Sequence, residues 1–147
     1  MKTPAPPHLK ILLVDDNPDG LLVRRTVLEE LGYGVSVAEN GEEGLKLFTS
    51  ANFDVVVTDY RMPRMNGVEL IQRIRKLKPS ARIILLSGFV DPLGLTEENT
   101  GADAVIAKSS NEPAHLTRCV KRLLNRATRK PPTTQQRAPA RAKASSG

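Results

Sequence analysis

Five short apolar runs divide the chain, and the stretches between them switch to helical spacing. Residues 9–14 are continuous and mostly aliphatic, the pattern of a strand buried on both faces. Asp15-Asp16-Asn17-Pro18 ends that run with turn residues. Leu21, Leu22, Arg24, Arg25, Val27, Leu28 and Leu31 then recur at helical intervals up to Gly32. Residues 35–38 predict a second strand, and Asn40 caps a helix carrying Leu45, Leu47 and Phe48. A third strand is expected over 53–58, followed by a loop over 59–66. The next helix, 67–78, puts Val68, Leu70, Ile71, Ile74 and Leu77 on its buried face and stops before Pro79. Residues 82–86 form the fourth strand, with Ser87 at its end. A weaker helix over 91–100 contains Gly94 and is followed by Gly101. The fifth strand is 104–107, and an amphipathic helix over 112–126 completes the pattern.

Five strands alternating with five helices predict an α/β fold, a parallel sheet between two helix layers. Right-handed crossovers leave few arrangements, and at this size the doubly wound order 2-1-3-4-5 is expected, a flavodoxin-like (βα)5 sandwich. Ligands in such sheets bind beyond the carboxyl ends of the strands where the winding reverses, here between strands 1 and 3.

Beyond residue 126 the pattern stops. ATRKPPTTQQRAPARAKASSG contains no Leu, Ile, Val or aromatic residue, so it cannot bury enough apolar surface to offset the entropy of ordering. The chain therefore divides into an N-terminal extension (1–8), a folded domain (9–126) and a disordered basic tail (127–147). The net charge of +6 changes meaning in that light. All 16 acidic and 16 of the 22 basic residues precede Arg126, so residues 1–125 are neutral and the surplus of six lies in Arg126 and the five basic residues of the tail. Direct DNA binding is not expected of such a domain, and the tail is read as solubilising. A single cysteine, Cys119, excludes an intramolecular disulfide and suits a reducing compartment. It falls with Leu116, Val120, Leu123 and Leu124 on the last helix's apolar face, a core position. No segment approaches the ~20 apolar residues that span a membrane. These features predict a cytoplasmic protein.

The candidate chemistry lies at the strand ends. Asp15 and Asp16 follow strand 1, Asp59 follows strand 3, Ser87 ends strand 4 and Lys108 follows strand 5. Each alone reads as a turn or cap residue, but together they converge on the predicted switch point. Three carboxylates in one place need a cation or a proton. Mg2+ fits, since it takes hard oxygen ligands and commonly pairs one or two carboxylates with a phosphate oxygen. No His or Cys stands at these strand ends to favour zinc. A carboxylate can also be a nucleophile toward phosphorus. The expected roles are Asp59 as phosphoacceptor and Asp15, Asp16, Asp59 and the backbone carbonyl of Arg61 as metal ligands. Lys108 and Ser87 are expected on phosphate oxygens. Arg61, Arg64, Arg73 and Arg75 are read as a solvated face, with Arg61 and Arg64 rimming the site. His8 and His115 have no spaced partners and are read as surface residues.

These residues resemble the receiver domain of two-component response regulators. The likeness rests on ILLVDD (11–16), VVVTDYRMPRMNGVEL (55–70), LLSG (85–88) and the lysine of VIAK (105–108), and covers about residues 9–126. It implies that Asp59 receives phosphate from a histidine kinase or histidine phosphotransfer protein. Asp15 and Asp16 bind Mg2+, and Ser87 and Lys108 relay the change to the helix 4–strand 5–helix 5 face. An unidentified downstream protein reads that face, and the domain is a monomer or weak dimer that catalyses only its own phosphorylation and dephosphorylation. The chain length suggests a stand-alone receiver. Three positions depart from the family pattern: Val105 replaces an aromatic, Ser109 replaces the proline after the lysine, and Gly88 replaces an alanine. Arg61 and Phe89, two positions beyond Asp59 and Ser87, are expected to affect how water reaches the phosphate. Val105 and Ser109 leave open a metal-independent interaction domain. A phosphatase remains an alternative, although such sites usually put an acidic residue where Arg61 stands. Nucleic-acid contact through the tail is a further alternative.

Overall fold

In the computed structural model the described residues are 9–88, 94–109 and 111–128. The expected N-terminal extension, Phe89 and all but the first two residues of the expected tail lie outside them. Five strands, β1 (Lys10–Val14), β2 (Gly34–Ala38), β3 (Val55–Asp59), β4 (Ile83–Ser87) and β5 (Ala104–Ala107), alternate with helices. The helices are α1 (Pro18–Glu30), α2 (Gly41–Ser50), α3 (Gly67–Leu77), α4 (Glu97–Thr100) and α5 (Glu112–Thr128). All strand pairs are parallel, and the sheet order is β2-β1-β3-β4-β5, as the alternation predicts.

The continuous apolar runs are explained by burial on both sides. Ile11, Leu13, Val55, Val57, Ile84 and Leu86 face a core closed by α1 and α5. Their alternates Leu12, Val14, Val56, Ile83 and Leu85 face α2 and α3. The largest fully buried side chains are all Ile or Leu, so an aliphatic core holds the fold despite scarce aromatics. Each such side chain contributes roughly 1.5–3 kcal/mol. Asparagines start three helices: the Asn17, Asn40 and Asn66 side chains each accept a first-turn amide, and Asn66 forms a reciprocal capping box with Glu69.

Several expectations shift. Asp59 is the last residue of β3 rather than the first of the loop, since its strand still pairs there with Leu86. Leu77, expected on a buried face, is 56% exposed, and Leu22, which shares the helical spacing of α1, is 63% exposed, because helical spacing alone does not say how wide the covered stripe is. The helix expected over 91–100 begins at Glu97 among the described residues. Gly94 has φ +66°, outside the right-handed helical region, and Thr96 caps the turn that follows. Residues 91–93 lie outside the described set. Cys119 is only partly buried, packed against the α1–α5 side of the core, and His115 is exposed.

Arg75 is no solvated residue. It donates to the Gly101, Pro79 and Ala81 carbonyls and, at 3.0 Å, to Asp103 Oδ2. Asp103 in turn accepts the Ile83 amide. The guanidinium thus ties the end of α3 to the starts of β4 and β5. At the β5 edge, Glu97 Oε2 accepts the Val105 amide at 3.0 Å. Among the described residues no helix is long and apolar enough to cross a membrane.

Candidate functional site

The parallel ladder places each candidate residue before any side-chain contact is considered. The Asp15 amide continues the β1–β2 ladder onto the Ala38 carbonyl, the Tyr60 amide bonds the Leu86 carbonyl, and the Lys108 amide bonds the Ser87 carbonyl. These bonds fix the carboxyl ends of β1, β3, β4 and β5 in one row. Asp15, Asp16, Asp59, Arg61, Ser87 and Lys108 all line a single open cleft there.

Carboxylate oxygens of Asp15, Asp16 and Asp59 lie within 4.8 Å of one another, with Asp15 and Asp59 buried and Asp16 exposed. Lys108 Nζ is 2.7 Å from Asp59 Oδ1. Burial raises the Asp59 pKa above its ordinary value. The Lys108 hydrogen bond opposes that rise and the nearby Asp15 charge reinforces it. Ser87 is 1% exposed and lines the same cleft. The loop after β3 is held by the Gly67 amide on the Tyr60 carbonyl at 2.8 Å. A Cβ at Gly67 would run into the Asp59 backbone carbonyl, so only glycine allows this close approach. Arg64 sits at φ +68° beside Glu42 at 3.8 Å, both exposed. The Lys108–Ser109 peptide is trans.

Sequence reasoning missed two residues. Arg24 is 8% exposed and Glu112 6%. Arg24 Nη1 donates to Asp15 Oδ2 at 2.7 Å, while Nε and Nη2 donate to Glu112 at 3.1 and 2.9 Å. Burial opposes the guanidinium charge, but Glu112 and then Asp15 outweigh it, and the Arg24 pKa sits above its ordinary value. The available signal was Arg24 standing at the same helical phase as Leu21 and Leu28.

The donor set suits Mg2+. It consists of hard oxygens, and no His or Cys joins it among the described residues. Asp15, Asp16, Asp59 and Glu112 bring four negative charges against the two positive charges of Arg24 and Lys108, so these six side chains lack the charge of one divalent cation.

The family described as response regulator receiver domain matches residues 11–121. A probable transcriptional regulator of Cyanidium caldarium is 37% identical over 117 residues, 79% of this chain and 46% of that protein. The chain spans less than half the length of this and other curated relatives it matches. Among solved structures, the response regulator TrrA of Thermotoga maritima in complex with Mg2+ and BeF is 40% identical. It has a TM-score of 0.72 over 78% of this chain and 98% of that one. The complex of TrrA with the histidine kinase ThkA matches with 40% identity and TM-score 0.71, over 79% of this chain and 98% of that one.

Proposed function

The chain belongs to the response regulator receiver domain family, and we propose that it is a phosphoacceptor signalling switch acting through Asp59. The observation that carries this reading is the meeting of Asp59 with Lys108, Asp15 and Asp16 at the rim of the sheet. In the reaction the Asp59 carboxylate attacks phosphorus, the P–N bond of a donor phosphohistidine breaks, and an acyl phosphate forms. Lys108 neutralises a phosphate oxygen and Ser87 donates a hydrogen bond to another. Asp16, Asp15, Asp59 and the Arg61 carbonyl would hold Mg2+, which supplies charge neutralisation when bound. Arg61, which lines the cleft, influences how water reaches the acyl phosphate.

The donor is a histidine kinase or histidine phosphotransfer protein, a reading supported by the kinase complex of the TrrA relative. The protein acts in the cytoplasm, catalyses only its own phosphorylation and dephosphorylation, and presents α4, β5 and α5 to a downstream protein. Val105 on β5 lacks the aromatic ring usual at that place, so the output relies on backbone and helix movement there. Residues 9–126 carry this activity as one unit. The test is 15N NMR with Mg2+ and beryllofluoride. Signals around Asp59, Ser87 and Lys108 are expected to shift in the wild type and not in Asp59→Ala. An unmoved wild-type spectrum would refute the reading.

A further inference from the structure

Arg24 is a buried cation inside an acidic site, and the phosphoryl-transfer roles above leave it unused. Its three donor bonds split in two directions. Nη1 holds Asp15 Oδ2 at 2.7 Å, and Nε with Nη2 forms a fork on Glu112. Asp15 Oδ1 accepts the Asn17 amide at 3.0 Å, so both oxygens of this carboxylate already have a protein partner. Glu112 is the first residue of α5, which follows directly on the Lys108 loop. One planar side chain therefore bridges an acidic residue of the cleft and the start of the last helix.

We propose that Arg24 is a positioning residue that couples divalent-cation occupancy of the acidic cleft to the seating of α5, resting on the cation-binding role assigned above to Asp15 and Asp16. With no cation bound, Arg24 supplies Asp15 with its counter-charge. A divalent cation beside Asp15 competes for the same carboxylate and repels the guanidinium, so Arg24 withdraws from Asp15 while the Glu112 fork retains it. The shift reaches α5 through Glu112, the residue at the helix's first turn. This route needs neither Ser87 nor an aromatic at Val105. It gives the chain a link from site to output face where the family's usual side chain is missing.

Gly20 makes the link testable without changing any charge. A Cβ at Gly20 would lie 2.8 Å from Arg24 Nη1 and 3.1 Å from Asp15 Oδ2, at the very contact in question. Alanine is also the better helix former, so Gly20→Ala folds and presses the flexible guanidinium off Asp15. Taking away the guanidinium charge (Arg24→Met), or holding it off Asp15 (Gly20→Ala), relieves both the competition for that carboxylate and the repulsion of a divalent ion, an effect of roughly severalfold on binding for loss of the full charge even at the dielectric of water. Both Gly20→Ala and Arg24→Met are therefore expected to bind Mg2+ more tightly than the wild type.

Mg2+ is titrated into 15N-labelled wild type, Gly20→Ala and Arg24→Met, following the amides of Asp16, Tyr60 and Ala114 to Thr117 and the Arg24 Nε–H signal. In the wild type all of these are expected to move along one binding curve. In both variants Asp16 and Tyr60 still move, at lower Mg2+, while the Ala114 to Thr117 shifts are lost. A purely structural Arg24 would leave the dissociation constant unchanged and the α5 shifts intact, and that result in Gly20→Ala overturns the proposal. Should Arg24→Met fail to fold with Glu112 left unpaired, Gly20→Ala alone decides. A wild type whose Asp16 and Tyr60 ignore Mg2+ overturns the cation site itself, and this coupling with it.

Discussion

Lys108 Nζ and Asp59 Oδ1 stand 2.7 Å apart, with the carboxylate almost fully buried and the lysine side chain one-third exposed. The asymmetry suits the proposed roles: the sheet holds the carboxylate in place, and the ammonium reaches it from the solvent side. Lys108→Ala removes the partner of a buried carboxylate and, in the proposed reaction, a donor to the transferring phosphoryl group. Phosphorylation by acetyl phosphate, followed by mass spectrometry, is expected to slow on the order of a hundredfold. An unchanged rate would remove Lys108 from the chemistry.

The raised pKa of Asp59 has a consequence for stability. Between the ordinary carboxyl value of 3.8 and the higher folded value, the native state keeps a proton that the unfolded chain has released. Stability from this group therefore falls as pH rises through that window. Asp59→Asn is expected to be more stable than the wild type at pH 7 without Mg2+, and the gap to close as pH drops toward 3.8. Urea unfolding at several pH values checks this; a gap that widens on acidification contradicts it.

Gly67 and Gly88 flank the same cleft with opposite demands. A Cβ at Gly67 would meet the Asp59 carbonyl, Leu85 Cδ1 at 2.8 Å and Tyr60 Cα at 3.0 Å, whereas one at Gly88 meets nothing within 4 Å among the described residues. Gly67→Ala is expected to cost about 1–3 kcal/mol and to shift the Asp59 and Tyr60 amide signals. Gly88→Ala should stay within about 0.5 kcal/mol of the wild type. Denaturant melts of the two variants make the comparison.

Arg75 is expected to matter for stability alone. It donates to the Gly101, Pro79 and Ala81 carbonyls and to Asp103, all away from the cleft. Arg75→Met should destabilise by about 1–3 kcal/mol through unsatisfied acceptors and leave Mg2+ affinity unchanged. Isothermal titration beside a thermal melt separates the two effects.

What the chain revealed before folding follows a physical division. The strands were legible because two-sided burial demands unbroken aliphatic runs, as in 11–14 and 83–86. The convergence of Asp15, Asp16, Asp59, Ser87 and Lys108 followed from topology, since parallel strands end on one edge. Arg24 is missed and Arg75 misread because their partners are set by tertiary packing: Glu112 lies 88 residues from Arg24, and Asp103 lies 28 from Arg75. Periodicity reports that a position faces inward, not that a charge waits there to receive it. Leu77 failed in the opposite sense, an apolar residue at the margin of its helix face that stays 56% exposed.

The bond from the Val105 amide to Glu97 bears on how this protein meets others. β5 is the last strand of the sheet, and an open amide on such a border invites another chain to extend the ladder. Glu97 fills that donor with a carboxylate, which occupies the bonding position and adds a charge beside it. One ladder position on this border is thereby closed to an added strand, at the cost of a carboxylate placed beside the sheet.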